Sequence, residues 1–253
     1  MKLNHFPKSS SNLYQQDTQL ADVIMNSHLH LSVINHFDIP LGFGNKTIKE
    51  VCQQHGINLH FFLIVINSFS IPNYFPKKEL LEFDLKLIIE YLMKTHQYYL
   101  HKEIPKLESC ISRMQRVATQ TNWQSIQLIS RFFFQYKEEL IKHLYQEDHM
   151  FFPYIYDLIE KKENLTYKDP VLLNSSIFYS EKHENLGVKV SDLKNLIVKY
   201  IPSNTDQETC QQLLIQLIRL EIDLENHRHI EEKVLIPKVQ ILEQVIQQNN
   251  GSK

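Results

Sequence analysis

Apolar residues recur at alternating spacings of three and four along most of the chain, the pattern of helices that each bury one stripe. The pattern is clearest where Ile126, Ile129, Phe133, Tyr136 and Leu140 lead into His143, Glu147, Met150 and Tyr154. It returns at Leu213, Leu217, Leu220 and Leu224, which run on to His227, Glu231 and Val234. Leu85, Ile89, Leu92, His96, Tyr99 and Leu100 share one face of an earlier segment. Ile177, Ser180, His183, Gly187, Val190 and Ile197 share one face of a third. Breaks at 119–122, 164–170 and 202–206 separate four long helices. Short connections between long helices predict an antiparallel up-down-up-down bundle over 78–247.

Residues 1–72 read differently. A helix over 17–35 is followed by a loop at 39–45 and a short helix over 48–54, with Thr47 placed to cap its start and Gly56 to stop it. An apolar helix over 59–69 supplies the core of this small helical N-terminal domain. Pro72 and Pro76 then mark a linker. A unit of about 70 residues is only marginally stable alone, so a partner surface is expected to support it. The fold class is therefore all-α.

Composition narrows the function. Only 5 glycines occur among 253 residues, and no glycine-rich phosphate loop is present. With 27 Lys+Arg against 29 Asp+Glu, the formal net charge of −2 provides no field to attract nucleic acid or an anionic membrane. The longest apolar run, Phe61 to Ile66, is far short of a membrane span. Residues 1–14 are polar and lack the apolar core of a signal peptide, so a cytoplasmic location is expected. Cys52, Cys110 and Cys210 are few, odd in number and widely separated, which argues against a disulfide framework. No serine or cysteine nucleophile sits in a recognisable motif, so no catalytic residue is assigned.

The candidate chemistry lies where the apolar stripes turn polar. Residues four apart stack on one helix face, so His143 with Glu147, and His227 with Glu231, each address one point in the core. His96 and His183 add one imidazole each from the other two helices. A lone His-x-x-x-Glu pair is ordinarily a surface ion pair. Here it occurs twice on apolar stripes, each time with a proline ten residues after the histidine, Pro153 and Pro237. Burying four imidazoles and two carboxylates without partners would cost several kcal/mol each, and a pair of metal ions satisfies them. Carboxylate-bridged sites in bundles hold iron or manganese, and zinc accepts the same ligands. Six protein ligands leave positions open for water, O2, NO or peroxide. A register shift of one residue would bring Gln97 inward in place of His96. His149 and His229 fall off the stripe, Tyr98 and Tyr99 read as core filling or as a phenol near the site, and Gly187 is read as leaving room at the level of His183.

With these residues in place, the chain resembles the hemerythrin-like di-iron proteins of the repair-of-iron-centres family. The matching motifs are Lys94-Thr95-His96-Gln97-Tyr98-Tyr99-Leu100, His143-Leu144-Tyr145-Gln146-Glu147, Glu181-Lys182-His183-Glu184 and His227-Arg228-His229-Ile230-Glu231. The resemblance implies a hemerythrin-like four-helix bundle holding two Fe ions. His96, His143, His183 and His227 are implied as terminal ligands, Glu147 and Glu231 as bridging carboxylates. It further implies a cytoplasmic protein of nitrosative or oxidative stress that restores damaged iron–sulfur clusters, with NO, O2 or peroxide as small-molecule partners and iron–sulfur proteins as clients. A hemerythrin-like sensor or carrier of O2 or NO is the alternative, and a fifth histidine, His101, would favour it. A zinc-held structural module is a third reading. Whether the chain is an enzyme stays open, because iron donation and NO reduction need the same ligands. Family members typically carry adjacent cysteines in the loop corresponding to 39–45, where this chain has none. The N-terminal domain is then left as a docking or homodimerisation module.

Overall fold

The computed structural model describes residues 13–71, 74–163 and 180–251, and the side chains of all of these except 161–163, 180–185 and 249–251. The chain forms two compact units, Met1–Glu82 and Phe83–Lys253. The described residues are helical, with one isolated antiparallel bridge between Gln19 and Thr47 and no other β pairing. No helix among them is long and apolar enough to cross a membrane.

In the first unit α1 (Leu20–Asn26) and α2 (His30–His36) replace the single helix expected over 17–35. The chain is extended at Ser27, whose hydroxyl accepts from the Leu29 N–H. Serine thus offers the backbone a local alternative to the helix ladder. In α3 (Ile48–His55), Thr47 and Glu50 form a reciprocal capping box and Gly56 closes the helix at φ +65°. Asn58 caps α4 (Leu59–Ser68), and α5 (Lys77–Glu82) completes the unit. Val23, Val33, Phe61, Phe62 and Val65 are buried, and Phe37 meets Phe62 edge-on at 5.0 Å.

The second unit is a four-helix bundle. Its first helix runs through α6 (Leu85–Tyr98), a π turn (Tyr99–Glu103) and α7 (Ile104–Arg116). Its second runs through α8 (Trp123–Gln146), a π turn (Glu147–Phe151) and α9 (Phe152–Glu163). The third is α10 (Ser180–Tyr200). The fourth runs through α11 (Gln207–Ile230), a π turn (Glu231–Leu235) and α12 (Ile236–Gly251). Side-chain pairs fix the directions. Gln115 with Ser130, Glu108 with Lys137 and His96 with Asp148 run in opposite senses along the first two helices. Tyr99 with Asp223 and Cys110 with Gln216 do the same for the first and fourth. Asn204 bonds Thr121 and Asn122, which ties the first-to-second and third-to-fourth connections together at one end. Phe133, Tyr136, Leu140, Leu193, Leu213 and Leu217 fill the core between them.

All three π turns have one sequence cause. Each closes with a bond from residue i+5, Ile104 N–H to Tyr99 O, Phe152 N–H to Glu147 O and Ile236 N–H to Glu231 O. A proline follows directly each time, Pro105, Pro153 or Pro237. A proline inside a helix lacks its N–H and clashes with the carbonyl four residues back. One extra residue in the turn relieves both. The same device corrects the expected stripe of the second helix: Met150 is 62% exposed, and the buried face resumes at Phe152, Ile155 and Leu158. The third helix is corrected as well. Leu186, Val190, Leu193 and Ile197 are buried, whereas Gly187 is exposed and makes no room in the core.

Candidate metal centre

The π turns of the second and fourth helices begin at Glu147 and Glu231, so both carboxylates leave the helix where it is widest. One turn before them stand His143 and His227. From the first helix, His96 enters the same space. His96, Glu147, His227 and Glu231 are all buried, and each offers a ligand atom within 4.8 Å of every other. His96 Nε2 lies 3.1 Å from His227 Nε2 and 3.3 Å from Glu147 Oε2. His227 Nε2 lies 3.0 Å from Glu231 Oε1, and His143 Nε2 lies 3.1 Å from Glu147 Oε1.

The surroundings determine which ring nitrogens face inward as lone pairs. His96 Nδ1 sits 2.7 Å from Asp148 Oδ1, and a carboxylate accepts, so Nδ1 carries the proton. Thr95 donates its only hydroxyl proton to the Leu92 carbonyl at 2.7 Å. Its oxygen is therefore the acceptor for His227 Nδ1–H, also at 2.7 Å. In the neutral rings both Nε2 atoms then present lone pairs toward the two carboxylates. Four electron-pair donors in so small a buried space require positive charge between them.

Their spacing suits a cation. Two ligand atoms each about 2.1 Å from one ion stand about 3.0 Å apart at a right angle and about 3.4 Å apart at the tetrahedral angle. The observed separations of 3.0, 3.1 and 3.3 Å fall in this interval. The donors are imidazole and carboxylate with no thiolate, a set that accepts iron, manganese or zinc. Cys110 and Cys210 are buried in the bundle, where burial pushes both thiols up, that of Cys210 to about 11.

His143 is slightly exposed and reaches the site through Glu147. His183 lies on α10 three residues before Leu186, but its side chain is outside the described residues. Gln97 is exposed, so the shifted register is not adopted, and His101 turns to solvent and bonds Gln97 at 3.0 Å. His149 stacks on Tyr145, and His229 pairs with Glu225 on the outer face. Tyr98 donates to Glu103, away from the cluster. Tyr99 packs its ring edge on His227 and donates to Asp223 at 3.0 Å; burial and that carboxylate push its phenol well above the ordinary range. Thr95 stands in the first-helix motif only as the neighbour of His96, and Asp148 and Asp223 belong to no motif. Asp148, adjacent to Glu147, was the nearest to a signal.

Residues 87–239 match the family model of the hemerythrin HHE cation binding domain. That span is more than half of the chain, and the protein belongs to the hemerythrin HHE cation-binding family. Among individual proteins, it is similar to the iron-sulfur cluster repair protein ScdA of Staphylococcus haemolyticus (strain JCSC1435). The two are 23% identical over 155 residues, which cover 61% of this chain and 67% of ScdA.

Proposed function

We propose that the protein is a di-iron protein that helps restore iron–sulfur clusters damaged by nitrosative or oxidative stress. One observation carries the two-ion part of this reading. The Glu147 carboxylate is shared oxygen by oxygen, Oε1 toward His143 and Oε2 toward His96, on different helices. A bridging ligand needs that arrangement. His96, His227, Glu147 and Glu231 would hold one iron. His143 and the same carboxylates would hold the other, with His183 assigned by sequence position alone. The similarity to an iron-sulfur cluster repair protein supports the choice of iron and of task.

Bound there, iron would supply a redox-active centre and a store of releasable metal. The chain's own groups do the rest. Asp148 and Thr95 aim the imidazoles, and Phe152 stacks on His96 at 5.5 Å and keeps water from that ring. His143 and Asp148, each 11% exposed at the side chain, mark the side on which small molecules such as NO, O2 or peroxide would arrive. A carrier or sensor with a fifth histidine is not favoured, because His101 points to solvent.

Anaerobic purification followed by metal analysis and an optical spectrum tests the proposal. About two irons per chain are expected, with ferric bands lost in His143→Ala and Glu231→Ala. Cells lacking the protein should reactivate NO-damaged iron–sulfur enzymes more slowly. Zinc without iron, or an unchanged reactivation rate, would overturn it.

A further inference from the structure

The first helix carries a third copy of the ligand block, with different residues in it. Pro105 stands ten residues after Thr95, as Pro153 does after His143 and Pro237 after His227. All three prolines follow a π turn. Thr95 and Tyr99 therefore occupy the places that His143 and Glu147, or His227 and Glu231, hold in the other two copies. Neither is one of the clustered ligands. Instead both bond to the fourth helix: Thr95 Oγ1 to His227 Nδ1 at 2.7 Å and Tyr99 Oη to Asp223 Oδ1 at 3.0 Å. The partners are four residues apart on each helix, so the two contacts form successive rungs between antiparallel neighbours.

We propose that Thr95 is a positioning residue for the cation. It fixes His227 as the Nδ1–H tautomer with Nε2 facing the site, and the Tyr99–Asp223 rung holds the helix pair at the spacing this requires. The inference rests on the reading that His227 is a ligand. The hydroxyl is fully buried, and its proton is committed to the Leu92 carbonyl, so it can only accept from the ring. A methyl in its place keeps the volume but leaves the ring N–H without this acceptor, and the contact that selects the ring's tautomer is lost.

The test titrates the full-length, metal-stripped chain anaerobically with Co2+, reading affinity and ligand-field bands. Thr95→Val should weaken Co2+ binding by about 10–100-fold and shift the bands, the range found when ligand-orienting partners are removed. Thr95→Ser, which restores the oxygen without the methyl, should return affinity to within a few-fold of wild type. Ring 15N–1H correlation spectra of the Zn2+-loaded wild-type chain should show His227 coordinated through Nε2 with a proton on Nδ1, a readout that does not depend on any variant folding. Wild-type affinity in Thr95→Val, equal weakening in Val and Ser variants, or coordination through Nδ1 would overturn the proposal. A wild-type chain that takes up neither Co2+ nor Zn2+ would remove the ligand reading itself, and this inference with it.

Discussion

Asp148 reaches from the second bundle helix to the first and accepts a hydrogen bond from His96 Nδ1 at 2.7 Å. The contact joins a fully buried imidazole to a carboxylate that touches solvent. Charge-assisted bonds of this kind orient a metal-ligating ring and raise its basicity. Asp148→Ala should weaken cation binding by about 10–100-fold, measured by competition with a coloured chelator. Unchanged affinity would show that Phe152 stacking alone holds the ring.

Removing the cation should expose the cost of the clustered donors. A ligand that binds only the folded state stabilises it by about 2.7 kcal/mol at a hundredfold excess over Kd. Treatment with a chelator is expected to lower the melting temperature, and re-addition of iron under argon to restore it. A melting curve indifferent to the chelator would place the donors' compensation in the protein itself.

The core should behave as a packed interior. Phe133 is fully buried between the helices, and Phe133→Ala should cost about 3–5 kcal/mol of unfolding free energy by urea titration. A loss well below that range would mean the neighbouring helices close over the cavity.

The first unit contains a buried imidazole whose protonation is coupled to folding. His30 is buried; its Nδ1–H donates to the Val23 carbonyl at 2.6 Å, and Nε2 contacts Ser70 Oγ at 2.7 Å. Burial holds its imidazole below the ordinary value of 6.5. The unfolded chain therefore binds a proton more readily than the folded one, and stability is fully present above about pH 6.5 and falls as the pH drops below it. His30→Gln should flatten that dependence in a pH series of urea midpoints; a parallel curve would assign the acid sensitivity to other groups.

Much of this architecture was legible because the helical period is written in apolar residues. The stripes through Phe133, Tyr136 and Leu140, and through Leu213, Leu217 and Leu220, are buried as their spacing required. The His-x-x-x-Glu pairs could be read for the same reason. What escaped depends on the neighbouring helix. Thr95, Asp148 and Asp223 acquire meaning only when antiparallel helices bring them to His227, His96 and Tyr99. A constant period carried through Glu147 puts Met150 inward, although Pro153 signals the interruption. Gly187 lies on the expected stripe of the third helix by spacing alone, whereas its neighbour Leu186 takes the buried place. The break at Ser27 is a local hydrogen-bonding choice that apolar spacing does not record.

The first unit carries no cysteine at 39–45. Its described cysteine, Cys52, is buried on α3, and burial pushes its thiol up to about 12. It stays protonated at neutral pH and is a packing residue.

The π turns act like edge dislocations in a crystal: each inserts one extra residue at the level of the clustered histidines and glutamates and leaves the rows above and below in step. The two ends of the bundle are thereby packed independently of the plane between them. Deleting Met150 together with Pro153→Ala would remove the dislocation from the second helix while Leu140 and Leu144 on one side, and Ile155 and Leu158 on the other, keep facing the core. Elsewhere in the same helix a one-residue deletion would swing everything beyond it by about 100°. The layer of clustered histidines and glutamates is thus the level at which this helix can change length, and with it the chemistry, without refolding the rest.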